Sequence, residues 1–189
     1  TQRIMDLADL LTDTQKQHLS DTLAIFEQKT SNQLVVLIGK TLNGQKLDSI
    51  GPLLAEQWKI GQADKDNGIL LSIFLDDRTS RIDVGYGLEG YLTDVQAKWA
   101  LDKKMIPQFK KKAFYEGIRE TVYYLMAKTD SAYVSEMNIE SKKRFQLWQA
   151  QEALSDQAED EIYAWREKLI YTGLSSSFIF LFSYILALV

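Results

Sequence analysis

Between Thr12 and Thr129 the spacing of apolar residues changes period several times, and each change marks an element. In "TDTQKQHLSDTLAIFEQKTS" the apolar residues Leu19, Leu23 and Phe26 recur at helical spacing. Thr12 stands in N-cap position with Gln15 three residues on, so a capped helix is predicted over residues 12–30. "QLVVLIG" is an unbroken apolar run of strand length, as expected for a strand buried on both faces. Helical period returns in "QKLDSIGPLLAEQWKIG", where Gly51-Pro52 is expected to break or kink the helix. "GILLSIFLDD" predicts a second buried strand, Asp76–Thr79 a polar turn, and "SRIDVG" an alternating third strand folded back on the second. "TDVQAKWALDKKMI" and "AFYEGIRETVYYLMAKT" read as two further helices, separated by Pro107 and the lysines at 110–112.

Strand, helix and strand in succession imply a parallel pair joined by a crossover, to which the tight turn adds an antiparallel strand. The expected fold class is α/β, a Rossmann-like mixed sheet covered by helices. After Thr129 the pattern changes. Residues 130–168 lack Gly, Pro and any strand-like run, and Ala158, Ile162, Trp165 and Leu169 form a helical seam, so a long helical stalk is expected. "LIYTGLSSSFIFLFSYILALV", residues 169–189, carries no charge. Its 21 residues at about 1.5 Å each suffice to cross a hydrocarbon core of about 30 Å. Trp165, Arg166, Lys168 and Tyr171 form an interfacial collar at its start, and a C-terminal transmembrane helix is expected. Three segments follow, at 1–129, 130–168 and 169–189.

Composition narrows the chemistry. A net charge of −4 supplies no basic field for nucleic acid. The absence of cysteine removes thiol catalysis, disulfides and thiolate metal sites. His18, the single histidine, rules out a multi-histidine metal centre, and on its helix it is expected to be satisfied or solvated rather than catalytic. The chain begins at Thr1 rather than Met, which fits a removed leader or a cut sequence alike. A removed leader would place the domain outside the cytoplasm, whereas Arg166 and Lys168 argue mildly for the opposite orientation.

"RIDVGYGLEGYLTD" holds Gly85, Gly87 and Gly90 in the spacing of a dinucleotide-binding loop. Its context does not suit that role. The loop follows an antiparallel strand, Glu89 would oppose a pyrophosphate, and the next helix begins only at Thr93. No nucleotide is expected. Oxygen ligands cluster instead around the strand ends, with Asp64, Asp66 and Asn67 before the second long strand, Asp76 and Asp77 after it, and Glu89 and Asp94 beside the glycines. Such groups on Gly-containing loops suit Ca²⁺, and fewer of them suit Mg²⁺. They also suit ordinary turns.

The motifs Trp58-x-Ile60-Gly61, Asp66-Asn67-Gly68, Asp76-Asp77-Arg78 and Gly85-Tyr86-Gly87-Leu88-Glu89-Gly90, in this order, resemble the TPM domain over about residues 3–128. That family includes a thylakoid-lumen protein of photosystem II repair, an auxiliary protein of nicotinic acetylcholine receptors and many bacterial membrane-anchored proteins. The resemblance implies a Rossmann-like sandwich whose loops 64–68, 76–78 and 85–94 converge at one end of the sheet. It also implies Ca²⁺ binding and, for the plant member, acid phosphatase activity. Asp66, Asn67, Asp76, Asp77, Glu89 and Asp94 would hold the metal, with the glycines bringing backbone close to them. In a phosphatase, Asp76 or Asp77 would act as nucleophile or base and Arg78 would stabilise developing charge. The favoured expectation is an accessory module that assists an integral membrane protein complex. It would be anchored to the bilayer by the C-terminal helix, with its domain outside the cytoplasm, and would make no use of nucleic acid. A metal-dependent phosphatase is the alternative.

Overall fold

Seven consecutive apolar or small residues leave a strand no polar face to turn toward water, so "GILLSIF" must be covered on both sides. In the computed structural model, which describes residues 2–130 and Tyr133, this segment is β3 (Gly68–Phe74) and every residue of it is buried. It lies between β2 (Gln33–Gly39), to which it runs parallel, and β4 (Thr79–Val84), to which it runs antiparallel. A three-residue β1 (Ile4–Asp6) pairs parallel with the outer side of β2, giving the order β1-β2-β3-β4. The mixed α/β sheet is as expected. β1 is additional, since three residues are too few to show a period. The Asp6 carboxylate fixes the turn after it by accepting bonds from the Ala8, Leu10 and Leu11 amides at 3.2, 3.2 and 2.8 Å.

Alternation divides the sheet into two cores. Val35, Leu37, Leu70 and Phe74 face α2 (Leu47–Gln57), with Leu47 buried and Ile50, Leu54 and Trp58 packed around them. The register pairs Val36 with Leu71 and Ile38 with Ile73 on the opposite face, where all four are 0–2% exposed. Each such side chain contributes about 1.5–3 kcal/mol of burial. The remaining long helices supply this second cover. α1 (Asp13–Thr30) buries Leu19, Leu23 and Phe26, as its period predicts, and closes its N-terminus with the Thr12–Gln15 capping box. α5 (Phe114–Thr129) packs against α1, and the hydrogen bond of 2.8 Å between His18 Nδ1 and the Tyr115 hydroxyl ties the two together. His18 is thus a satisfied structural residue.

Two expectations change. Gly51-Pro52 does not interrupt α2, which runs unbroken from Leu47 to Gln57. The packing of Leu47, Ile50 and Leu54 on the sheet outweighs one missing backbone bond. The single helix predicted over 93–106 is in fact compound. α3 (Asp94–Ala100), capped by Thr93, passes through a π-helical turn (Leu101–Met105) into α4 (Ile106–Lys110), where Pro107 sits in the first turn and needs no N–H partner. The described residues fall within the compact unit Thr1–Glu136. Beyond Asp130 and Tyr133, the expected stalk and the expected membrane helix lie outside the described residues. Among the described residues, no helix is long and apolar enough to cross a membrane.

Candidate functional site

The antiparallel turn decides where the sequence-predicted ligands go. β3 enters from Asp66 and Asn67 and leaves into Asp76, Asp77 and Arg78. β4 then runs back, so Gly85 pairs beside Gly68. Asp66, Asn67, Glu89 and Asp94 therefore belong to one end of the sheet, and Asp76, Asp77 and Arg78 to the other. A seven-residue strand at about 3.3 Å per residue sets them roughly 20 Å or more apart. The expected convergence of all three loops is corrected on this ground, because no single ion can draw ligands from both ends.

At the first end, three backbone segments are pressed together. A Cβ on Gly68 would lie 2.2 Å from the Ile60 carbonyl oxygen. On Gly85 it would lie 2.2 Å from the Asp66 carbonyl oxygen, and on Gly87 1.8 Å from that of Lys65. The Gly87 amide donates to the Asp66 carbonyl at 3.1 Å. Gly85 and Gly87 thus bring backbone against the 65–66 peptides, whereas Gly90 has open space around it. Asn67, 4% exposed, is the pin through this stack. Its Oδ1 accepts from the Gln62 amide at 2.8 Å, and its Nδ2 donates to the Ser31 carbonyl at 2.7 Å and to Asn32 Oδ1 at 3.3 Å. Its amide oxygen is committed to the fold. Asp66, Glu89 and Asp94 are exposed. Beside the pin lies a cleft of about 460 Å³, bordered by Ser31, Asn32, Lys65, Tyr91, Lys128 and Asp130.

At the second end, Asp77 Oδ2 accepts from the Leu42 amide at 2.7 Å and so fastens the 40–46 loop to the turn. Asp76 and Arg78 are exposed, and Arg78 holds a left-handed backbone at φ 49°. The described residues gather no group of three or more acidic or histidine side chains able to hold a metal ion.

Two features escaped the sequence reading. Asp83, on β4, has a side chain only 9% exposed. Its Oδ1 accepts from Arg81 Nε at 2.5 Å, while Arg81 Nη1 reaches Asp48 at 2.8 Å. Its Oδ2 is buried against Gly51. Burial raises the Asp83 carboxyl above the ordinary range, against the pull of Arg81. A raised folded value means that Asp83 contributes most stability below the unfolded pKa of about 3.9, and that this is lost as pH rises through the folded value. Asp83→Asn should therefore gain melting temperature relative to the native chain as pH rises through that window, which paired melting curves from acid to neutral pH would measure.

The second feature is a set of exposed apolar residues within and after the glycine loop. Tyr86 is 81% exposed, Tyr91 63%, Val95 79% and Trp99 42%. Val95 and Trp99 share one face of α3, and the Trp99 ring lies 4.9 Å from that of Tyr124 on α5. Lys104 stands 5.8 Å over Trp99 and Lys128 5.5 Å over Tyr124. Only the spacing of Val95 and Trp99 was visible in the sequence, and four-residue spacing marks buried faces equally well.

Comparison with known proteins places this arrangement. No curated protein sequence matches the chain. Among solved structures, the N-terminal domain of a P. gingivalis protein is 30% identical with a TM-score of 0.65, the match covering 70% of this chain and 84% of that one. The BA42 protein of the psychrophilic bacterium Bizionia argentinensis is 18% identical with a TM-score of 0.58, covering 67% and 86%. The N-terminal domain of the cg2496 protein of Corynebacterium glutamicum is 9% identical with a TM-score of 0.55, covering 70% and 82%. These last two share the fold alone. The family model of the TPM domain matches residues 4–128, which take in the whole sheet, the glycine stack and all but the last residue of α5, and the chain belongs to the TPM-domain family.

Proposed function

We propose that this chain is an accessory module of an integral membrane protein complex. Its TPM domain would stand outside the cytoplasm, tethered to the bilayer by residues 169–189, and would engage the partner through Tyr86, Tyr91, Val95 and Trp99. The observation that carries this reading is the exposure of four large apolar side chains between residues 86 and 99. Contiguous exposed apolar surface marks interaction sites, and Tyr and Trp are the residues enriched at interface cores. The Trp99–Tyr124 pair with its two lysines offers an aromatic surface with cations over it, suited to a partner surface that is apolar at its centre and acidic at its rim. Tethering in the same bilayer raises the effective concentration of that partner, so a modest contact is enough. Under this reading Ca²⁺ or Mg²⁺ is a weak, water-mediated ligand of the exposed carboxylates.

The phosphatase alternative is less well supported. Asp76, Asp77 and Arg78 share one exposed turn, and one Asp77 oxygen already serves the Leu42 amide. The test uses the full chain in its native membranes, with a photoreactive group at Val95. Crosslinking to an integral membrane protein should fall at least tenfold in Tyr91→Ala/Trp99→Ala, and unchanged crosslinking in that variant would refute the reading. The same preparation would be assayed on a generic phosphoester with and without Ca²⁺ or Mg²⁺. Turnover abolished in Asp76→Asn/Asp77→Asn would establish the phosphatase instead.

A further inference from the structure

Beside the β3–β4 turn lies a second cavity of about 660 Å³. This is the scale of small-ligand sites. Its walls are mainly apolar and include Met105, Ile106, Phe109 and Phe114, the two phenylalanine rings meeting edge to face at 5.1 Å. The π-helical turn that ends at Met105 adds width to the helix just before these residues, and such turns recur at functional sites. The charged residues lining the cavity are all cations: Arg78, Lys110 and Lys112. Among the described residues none of the three has an ion-pair partner. The nearby Asp77 carboxylate is turned to the Leu42 amide.

Among the described residues seven non-glycine residues hold left-handed φ values, and two of them line this cavity. Arg78 and Lys112 both hold left-handed φ values, 49° and 63°. Glycine or asparagine is favoured at such positions, Lys112 being the residue after the α4 C-cap, where glycine is commonest. Two long cationic side chains thus occupy places where the backbone alone would select glycine. Left-handed non-glycine residues concentrate at ligand clamps.

We propose that this groove binds a single-chain anionic amphiphile of the fatty-carboxylate class. The acyl chain would lie along Met105, Ile106 and Phe109, and the carboxylate would be held by Arg78 and Lys112, with Lys110 at the rim. Charge selects an anion, the walls select hydrocarbon, and the volume falls in the range of small-ligand sites.

The test treats the full chain with dodecanoate carrying a photoreactive diazirine and maps the labelled residues by mass spectrometry. Label is expected within 73–80 and 105–114. Unlabelled dodecanoate should compete about tenfold better than dodecanol, one charge-assisted contact being worth about that factor. Decanoate should compete about fifteenfold less well than dodecanoate, since each of the two buried methylenes it lacks is worth about fourfold. Arg78→Gly/Lys112→Gly should keep or raise the melting temperature while losing the preference for carboxylate over alcohol. Label spread elsewhere, equal competition by dodecanol, or a variant that retains the preference would each overturn the proposal. Competition by anionic phospholipid vesicles but not by dodecanoate would also overturn it, making the groove a bilayer contact.

Discussion

Gly87→Ala is expected to unfold the domain or to cost it at least about 3 kcal/mol, whereas Gly90→Ala should change stability by no more than about 1 kcal/mol. The added carbon at position 87 would stand 1.8 Å from the Lys65 carbonyl oxygen and 3.0 Å from its carbon. Those are backbone atoms, and they cannot swing aside as a lysine tip could. The 65–66 peptides are themselves held from below, by the bonds from the Asp66 amide to Gln62 and from the Gln33 amide to Asn67. Relief would therefore require the whole 60–68 segment to move, and with it the entry to β3. At position 90 nothing lies within 4 Å, so the methyl group meets only solvent and the stiffer residue trims the entropy of the unfolded chain. Thermal and urea denaturation of the two variants would separate them. A nucleotide loop would predict something else, since all three glycines would then affect ligand binding before they affected folding.

Asn67→Asp is expected to destabilise the domain by about 2–3 kcal/mol at neutral pH, an unusually large effect for so small a chemical change. The carboxylate keeps an oxygen for the Gln62 amide but has no proton for the Ser31 carbonyl, which the native Nδ2 reaches at 2.7 Å. It would place a buried negative charge against two oxygens, those of the Ser31 carbonyl and Asn32 Oδ1. Both burial and the missing donor favour the protonated form, so the folded pKa of the new carboxyl should lie above the unfolded value of about 3.9. The lost stability should therefore return as pH falls through that folded value, because a protonated carboxyl can donate again. Melting curves at neutral and acidic pH, against those of the native chain, would show whether the deficit narrows. If Asn67 were instead a metal ligand, the extra charge would strengthen cation binding and leave the fold intact. Unimpaired stability with tighter Ca²⁺ binding would reverse the structural assignment of this residue.

What could be read from the sequence follows from how local each signal is. "QLVVLIG" and "GILLSIF" announced two buried strands because uninterrupted apolar runs leave few other choices. Thr12–Gln15 and the start at Thr93 were legible because capping chemistry is confined to one turn. β1 was hidden, since three residues carry no period and its pairing with β2 is long-range. The division of the acidic residues between two ends follows from the strand count, because each antiparallel reversal sends the next loop to the opposite end. The resemblance quoted the right motifs, yet motif order alone does not state which loops meet. Asn67 read as a ligand because amide oxygens both coordinate ions and bind backbone amides, and only its partners Gln62, Ser31 and Asn32 distinguish the two. Asp83 was missed for the converse reason, as one carboxylate in an alternating edge strand gives no sign that a helix glycine lies against it.

The charges at the two ends of β3 act before the sheet exists. A seven-residue segment with high β-propensity, no charge and no proline has the composition of a self-associating strand, and it is exposed whenever the chain is newly made or transiently unfolded. Asp64, Lys65 and Asp66 precede it, and Asp76, Asp77 and Arg78 follow it, all within four residues. In register-stacked copies these like charges would be brought within a strand spacing of about 4.8 Å of one another, where their repulsion opposes growth of the stack. Residues that read as a divided ligand set in the folded molecule thus serve as gatekeepers for the unfolded one, a role that needs no convergence and works best with one group at each end.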